Sequence, residues 1–254
     1  MTRHKRYFLF ILIMMLFLFP VVFAENGFTV SAQNAPQTDE ATKLFCEGCD
    51  LIRQKKYAEA AKVFEKVIEA NPTKRGAYTN LSWMYLELGR YEDAVVTAQK
   101  EIALYPESSM AHNNLGFTLT KLGKHEEAII ELQKAIALDV HNTKAHFNLG
   151  YAFNSLRRFD EAVSAFEFLT ESNPKCAEGY ASLASAAMMS GQKEKALKAS
   201  QTYVSLNPNS VPALMGLAGI YLSIGNKRAA LEQHKIIKEL DPTSAEILLA
   251  RINK

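Results

Sequence analysis

Two cysteines three residues apart, Cys46-Glu47-Gly48-Cys49, are the first residues of this sequence whose types and spacing could do chemistry. Such a pair can cycle between dithiol and disulfide, supply half of a metal site, or carry an attached haem. Haem attachment needs a histidine directly after the second cysteine, and Asp50 stands there. A structural zinc takes four ligands, and the next histidine, His112, is far along the chain. A disulfide within the pair stays open. On a helix, residues three apart have Cα atoms about 5 Å apart, inside the range a disulfide spans. Such a bridge would be strained and readily reduced. Free thiols and a thiol-handling role remain alternatives to it. There is no phosphate-binding glycine loop, no HExxH and no GxSxG, so no enzyme, cofactor or metal is expected.

The ends of the chain bound its surroundings. Arg3, Lys5 and Arg6 precede an apolar run, Pro20 breaks it, and Val22-Phe23-Ala24 offers small residues at cleavage positions. Positive, then apolar, then small is an export signal over residues 1–24. Retained, the stretch 7–24 would be long enough to anchor the chain in a membrane. The expected location is therefore periplasmic or secreted, with membrane anchoring as the alternative. Three of the 29 Lys and Arg residues lie in that signal, leaving 26 against 27 acids. With no basic excess to hold phosphates, nucleic acid is not an expected partner. Residues 25–40 are polar and aperiodic and read as a flexible linker.

From Ala41 the chain repeats. Pro72, Pro106, Pro174, Pro208 and Pro242 set a period of 34 residues, with Val140 in the place of a proline. Ala60, Ala94, Ala128, Ala162, Ala196 and Ala230 keep the same beat, and so do Gly48, Ser82, Gly116, Gly150, Ala184 and Ala218. Small side chains at fixed spacing let two helices approach closely. Each unit divides into two stretches with apolar residues recurring at three and four, the pattern of an amphipathic helix. Gly89, Gly123, Gly191 and Gly225 close first helices, and the proline closes second ones.

The unit His146-x-x-Leu149-Gly150-x-x-Phe153, Ala162-x-x-x-Phe166, Pro174 resembles the tetratricopeptide repeat. Its six units are 41–74, 75–108, 109–142, 143–176, 177–210 and 211–244, followed by a short capping helix at 245–254. Lys193 and Lys227 depart from the aromatic found at Tyr57, Tyr91 and Phe159. The resemblance implies an all-α fold, a right-handed α-solenoid of helix–turn–helix repeats. It also implies a concave wall, built from the first helices, that binds extended segments of other proteins.

On that wall Asn80, Asn114 and Asn148 hold one place in units two to four. An amide has donors and an acceptor, so a ladder of them can pair with any peptide backbone. This is similar to the asparagine ladder of some tetratricopeptide proteins; packing within the wall is the alternative. Trp83, Phe117 and Tyr151 follow three residues later and, with Phe147 and Phe45, make an aromatic stripe suited to binding or to core packing. Thr79 and Trp83 stand where a carboxylate clamp would need lysine and asparagine, so that mode is rejected. His112 and His146 are expected to pack at interfaces. Units five and six present Met188, Met189, Met215, Gly216 and Gly219, a soft surface for an apolar helix or a second copy. Cys46 and Cys49 fall at the N-terminal end of the wall, and Cys176, at the corner of units four and five, lies out of their reach. The expected function is a non-enzymatic scaffold for a peptide segment. The alternatives are a thiol-handling factor for envelope proteins and a self-assembling scaffold.

Overall fold

The computed structural model describes residues 39–254. The export signal and most of the linker expected from sequence lie outside the described residues. Thirteen helices and no strand make up the described residues. They pair as α1 (Glu40–Arg53) with α2 (Tyr57–Ala70), α3 (Ala77–Glu87) with α4 (Tyr91–Leu104), and α5 (Ser109–Lys121) with α6 (His125–Leu138). Then come α7 (Thr143–Ser155) with α8 (Phe159–Ser172), α9 (Ala177–Met189) with α10 (Lys193–Leu206), and α11 (Val211–Ser223) with α12 (Lys227–Leu240). The last helix is α13 (Pro242–Ile252). Each helix packs on the one before and the one after it, the arrangement of an α-solenoid.

Both helices of a pair cross where the sequence is small. All six alanines of the series from Ala60 to Ala230 are fully buried, at 0% exposure. Opposite them, a Cβ on Gly116 would lie 2.6 Å from Leu132 Cγ, and one on Gly150 would lie 2.7 Å from the Phe166 ring. Those contacts are shorter than van der Waals distance, so glycine sets how closely the pairs can approach. Where Ser82 takes that place it is also fully buried, and its hydroxyl donates to the Ala94 carbonyl at 3.1 Å.

The turn inside each pair needs one residue in the left-handed region. Gly89, Gly123, Gly191 and Gly225 take it at φ of 70 to 81°, and at the same place in units one and four Lys55 and Arg157 take it at 60° and 59°. A side chain there costs about 1–2 kcal/mol.

The departures from the repeat are absorbed locally. Val140 is half exposed at its corner, and α7 still begins three residues later. Helices α10 and α12 begin at Lys193 and Lys227, the places the aromatics hold elsewhere. Two boundaries move. Asp39 caps α1 by accepting from the Thr42 amide, so Glu40, placed in the linker by sequence, is helical. At the far end Asp241 likewise caps α13 by accepting from the Thr243 and Ser244 amides, and the capping helix starts at Pro242 rather than 245.

Replacing Gly116 by valine is expected to destabilise the fold by about 2 kcal/mol through overpacking, read as a lower denaturant midpoint. Arg157→Gly is expected to raise stability by about 1 kcal/mol by removing the left-handed strain.

Candidate functional site

The first helices of units two to four, with the α8–α9 corner, enclose a cavity of about 500 Å³. Its wall is built from columns of residues 34 apart. Asn80, Asn114 and Asn148 form one column, and Thr79, Asn113 and Phe147 form the next. Met110, Lys144 and Glu178 form a third, and Trp83 with Phe117 a fourth. The repeat puts each column on one face of successive parallel helices, so the columns run across the helices as a groove. Helices α3, α5 and α7 touch directly, but α7 and α9 meet mainly through α8. The cavity therefore reaches Leu169 of α8 and Asn173, which caps its C-terminus, at its far end.

Six of the seven residues expected at the site line this cavity: Asn80, Trp83, Asn114, Phe117, Phe147 and Asn148. Tyr151 does not. It is 50% exposed and outside the lining. Phe45 packs edge-on against Phe64 as core, with ring centroids 5.4 Å apart.

The asparagines are not a row of free amides. Asn114 Nδ2 donates to the Thr79 carbonyl at 3.3 Å, Asn113 Nδ2 donates to Asn114 Oδ1 at 3.4 Å, and Asn148 Nδ2 donates to Asn113 Oδ1 at 2.9 Å. This relay crosses three repeats through Asn113, which sequence reading passed over although it shares a column with Phe147. Buried amides need partners, and the relay supplies them. Among the described residues, the whole Asn80 amide and Asn148 Oδ1 have no hydrogen-bond partner. The rings differ in freedom. Phe147 packs edge-on to Phe166, Phe117 lies under the Lys121 ammonium at 5.0 Å, and Trp83 donates its indole N–H to Glu87 at 3.0 Å. Lys144 and Glu178 are exposed, and neither is in an ion pair among the described residues.

His112 and His146 pack as expected. His112 Nδ1 meets Glu131 Oε2 at 2.6 Å, and its other nitrogen meets the Pro106 carbonyl at 3.2 Å. Burial pushes the Glu131 pKa up, but hydrogen bonds from Lys134 and His112 outweigh it and hold that carboxyl below its ordinary value. His146 stacks on Phe168 at 3.8 Å, and burial holds its pKa down.

In the structure Cys46, Cys49 and Cys176 are free thiols. Cys46 is exposed, while Cys49 packs against the core that α1 to α4 share. Burial, and then Cys46 beside it, push the Cys49 thiol pKa up, away from a reactive thiolate. Neither lines the cavity; Cys176 does. Among the described residues no cluster of His, Cys, Asp and Glu could hold a metal ion, and no helix is long and apolar enough to cross a membrane.

The repeat geometry agrees with comparison to known proteins. A tetratricopeptide repeat model matches residues 47–109 and 147–211, and two further models of the same repeat match 118–156 and 97–130. The chain belongs to the tetratricopeptide repeat family. No curated protein matches the sequence. Among solved structures it is similar to PilW, described as a widely conserved type IV pilus biogenesis factor, with 20% identity and a TM-score of 0.73 over 84% of this chain and 99% of PilW. It is similar to PilF of Pseudomonas aeruginosa, with 16% identity and a TM-score of 0.70 over 83% of this chain and 97% of PilF. It is also similar to YrrB, described as a TPR protein with an unusual peptide-binding site, with 20% identity and a TM-score of 0.63 over 73% of this chain and 96% of YrrB. At these identities the likeness is one of fold.

Asn113→Ala is expected to leave Asn148 Nδ2 and Asn114 Oδ1 without partners and to cost about 1–3 kcal/mol, measured by chemical denaturation.

Proposed function

We propose that this chain is a non-enzymatic protein-interaction scaffold, and that the cavity of units two to five receives an extended segment of another protein. The observation that carries this reading is the cavity itself, where three exposed or half-exposed rings stand beside an unpaired amide, Asn80. Rings give contact area at low entropic cost, and the amide gives a hydrogen bond to a peptide group of any sequence. The segment lies across the helices, along the columns. Trp83, Phe117 and Phe147 anchor it, while Asn80 and Asn148 Oδ1 bond its backbone. Asn114 contributes through the relay, by holding the wall rather than by contact. Membership of a family whose repeats serve as interaction modules supports the reading, as does the fold shared with YrrB and its peptide-binding site.

The setting we propose is outside the cytosol. It rests on the positive, apolar and small order of residues 1–24. The fold shared with PilW, a pilus biogenesis factor, is in keeping with it. Assembly of an envelope or secreted complex is the corresponding task.

The test is a photo-reactive residue at Phe117, crosslinked in intact cells, with the captured protein identified by mass and its affinity then measured with purified components. Trp83→Ala is expected to weaken that affinity by about 2 kcal/mol, the scale of a buried aromatic anchor. Asn80→Ala is expected to weaken it by about 1 kcal/mol at unchanged melting temperature. Capture of the chain itself alone would replace the peptide reading with self-assembly.

A further inference from the structure

One core position carries a carboxylic acid. The repeat places Val67, Ala135, Leu169 and Ile237 at equivalent sites in the second helices, all at most 4% exposed, and Tyr203 at another. In unit two that site is Glu101, itself 4% exposed. Its Oε1 accepts from the Thr79 hydroxyl at 2.5 Å and from the Ser108 hydroxyl at 3.1 Å. Its Oε2 is buried with no hydrogen-bond partner among the described residues. Glu101 therefore ties three segments of two repeats together: α4, on which it lies, α3 through Thr79, and the N-terminus of α5 through its cap Ser108.

The position is next to the groove. Leu169, the counterpart of Glu101 in unit four, lines the cavity, and so does Thr79. The Thr79 carbonyl is also the end point of the asparagine relay, since it accepts from Asn114. A change at Glu101 thus reaches the wall through one residue.

Among the described residues, no cation is at hand to stabilise an ionised Glu101. On α3, Tyr85 bonds Glu65 and lies under Arg90, its phenol pushed up to about 12 by burial and by Glu65, and Glu87 takes the Trp83 indole. Tyr78 of α3 is a buried phenol. On α5, His112 is held by Glu131 and the Pro106 carbonyl, and Lys121 lies over Phe117. In the corner before α5, Tyr105 donates to the Thr73 carbonyl and Glu107 pairs with Arg75. On α4 itself Asp93 pairs with Arg90, and Glu92 and Lys100 are exposed.

We propose that Glu101 is a proton-carrying carboxylic acid in the folded state, and that its ionisation loosens the junction of repeats two and three and shifts the groove wall at Thr79. The protonated carboxyl fits the slot that its apolar counterparts fill. The ionised one puts an unpaired charge there, which the two hydroxyls only partly offset. Burial holds the carboxyl pKa above the ordinary glutamate value of 4.5, against the lowering effect of Thr79 and Ser108. The unfolded chain releases this proton near 4.5 and the folded chain releases it higher. The stability tied to it is complete below that value and is lost as pH rises through the folded pKa. Any consequence for a bound segment rests on the groove being the binding surface; the ionisation and the movement of the wall do not.

The experiment is a set of thermal melts from pH 4 to pH 9 on the wild-type protein, Glu101→Gln and Glu101→Leu. Each is paired with acrylamide quenching of Trp83, the only tryptophan, one turn beyond Thr79. The melting temperature of Glu101→Gln minus that of wild type is expected to rise with pH by about 2–4 °C or more. Trp83 quenching is expected to change with pH in wild type and to lose that step in both variants. A difference that stays flat or falls with pH, or a Trp83 step that survives in both variants, would overturn the proposal. Should Glu101→Gln not fold, Glu101→Leu gives the same comparison, because it restores the apolar side chain of the other repeats. Affinity for the partner captured through Phe117, measured at both ends of the pH range, reports separately on the binding surface. A pH step in Trp83 with unchanged affinity would leave the switch standing and count against the groove.

Discussion

Everything in this structure depends on how closely the two helices of each repeat can cross. Six alanines without exposed surface sit at that crossing, and glycine or another small residue faces them. Where a glycine lies, the side chain filling the space is large: Phe64 against Gly48, Leu132 against Gly116, Phe166 against Gly150. The close packing that results is what a two-helix unit has in place of a globular core. It also fixes the period. With the crossing point locked, the second helices begin and end 34 residues apart in all six units.

That regularity turns sequence columns into surface columns. A residue at one place in units two, three and four becomes a row across the groove, as Asn80, Asn114 and Asn148 do. The rows are not independent, because neighbouring columns are within hydrogen-bond reach. Asn113 stands between two members of the asparagine column and uses their amides, so much of the polar capacity of the wall is taken up inside it. Among the described residues, what the wall leaves without a partner is the Asn80 amide, Asn148 Oδ1 and the exposed charges of Lys144 and Glu178.

The departures from the repeat are instructive because most are tolerated where the backbone is exposed and costly where it is not. Val140 changes nothing at its corner, since the proline it replaces only ended a helix that Asp139 already ends in extended conformation. Cys176 takes the capping place that Ser108, Asn142 and Ser210 fill in other units, and its helix starts without a side-chain cap. Lys55 and Arg157 bear left-handed strain that glycine avoids elsewhere. Glu101 is the carboxylic acid in a series otherwise made of Val67, Ala135, Leu169, Tyr203 and Ile237, and it is 4% exposed.

Sequence by itself determined the helices, their pairing and the class of fold. Those follow from periodicity, which is local, and from small residues at a fixed spacing, which need no knowledge of the partner helix. It also determined six of the seven wall residues, because a repeat maps position in the unit onto position on the surface. Three-dimensional packing decided the rest. Whether an amide on the wall is free or already bonded depends on its neighbour in the next repeat, so Asn113 could not be weighed from its own unit. That Phe147 lines the cavity while Tyr151, expected beside it, does not is a matter of packing between units. The cysteine pair is the same lesson on a smaller scale: the spacing put two thiols on adjacent turns, and only packing left Cys49 against the core and Cys46 in solvent.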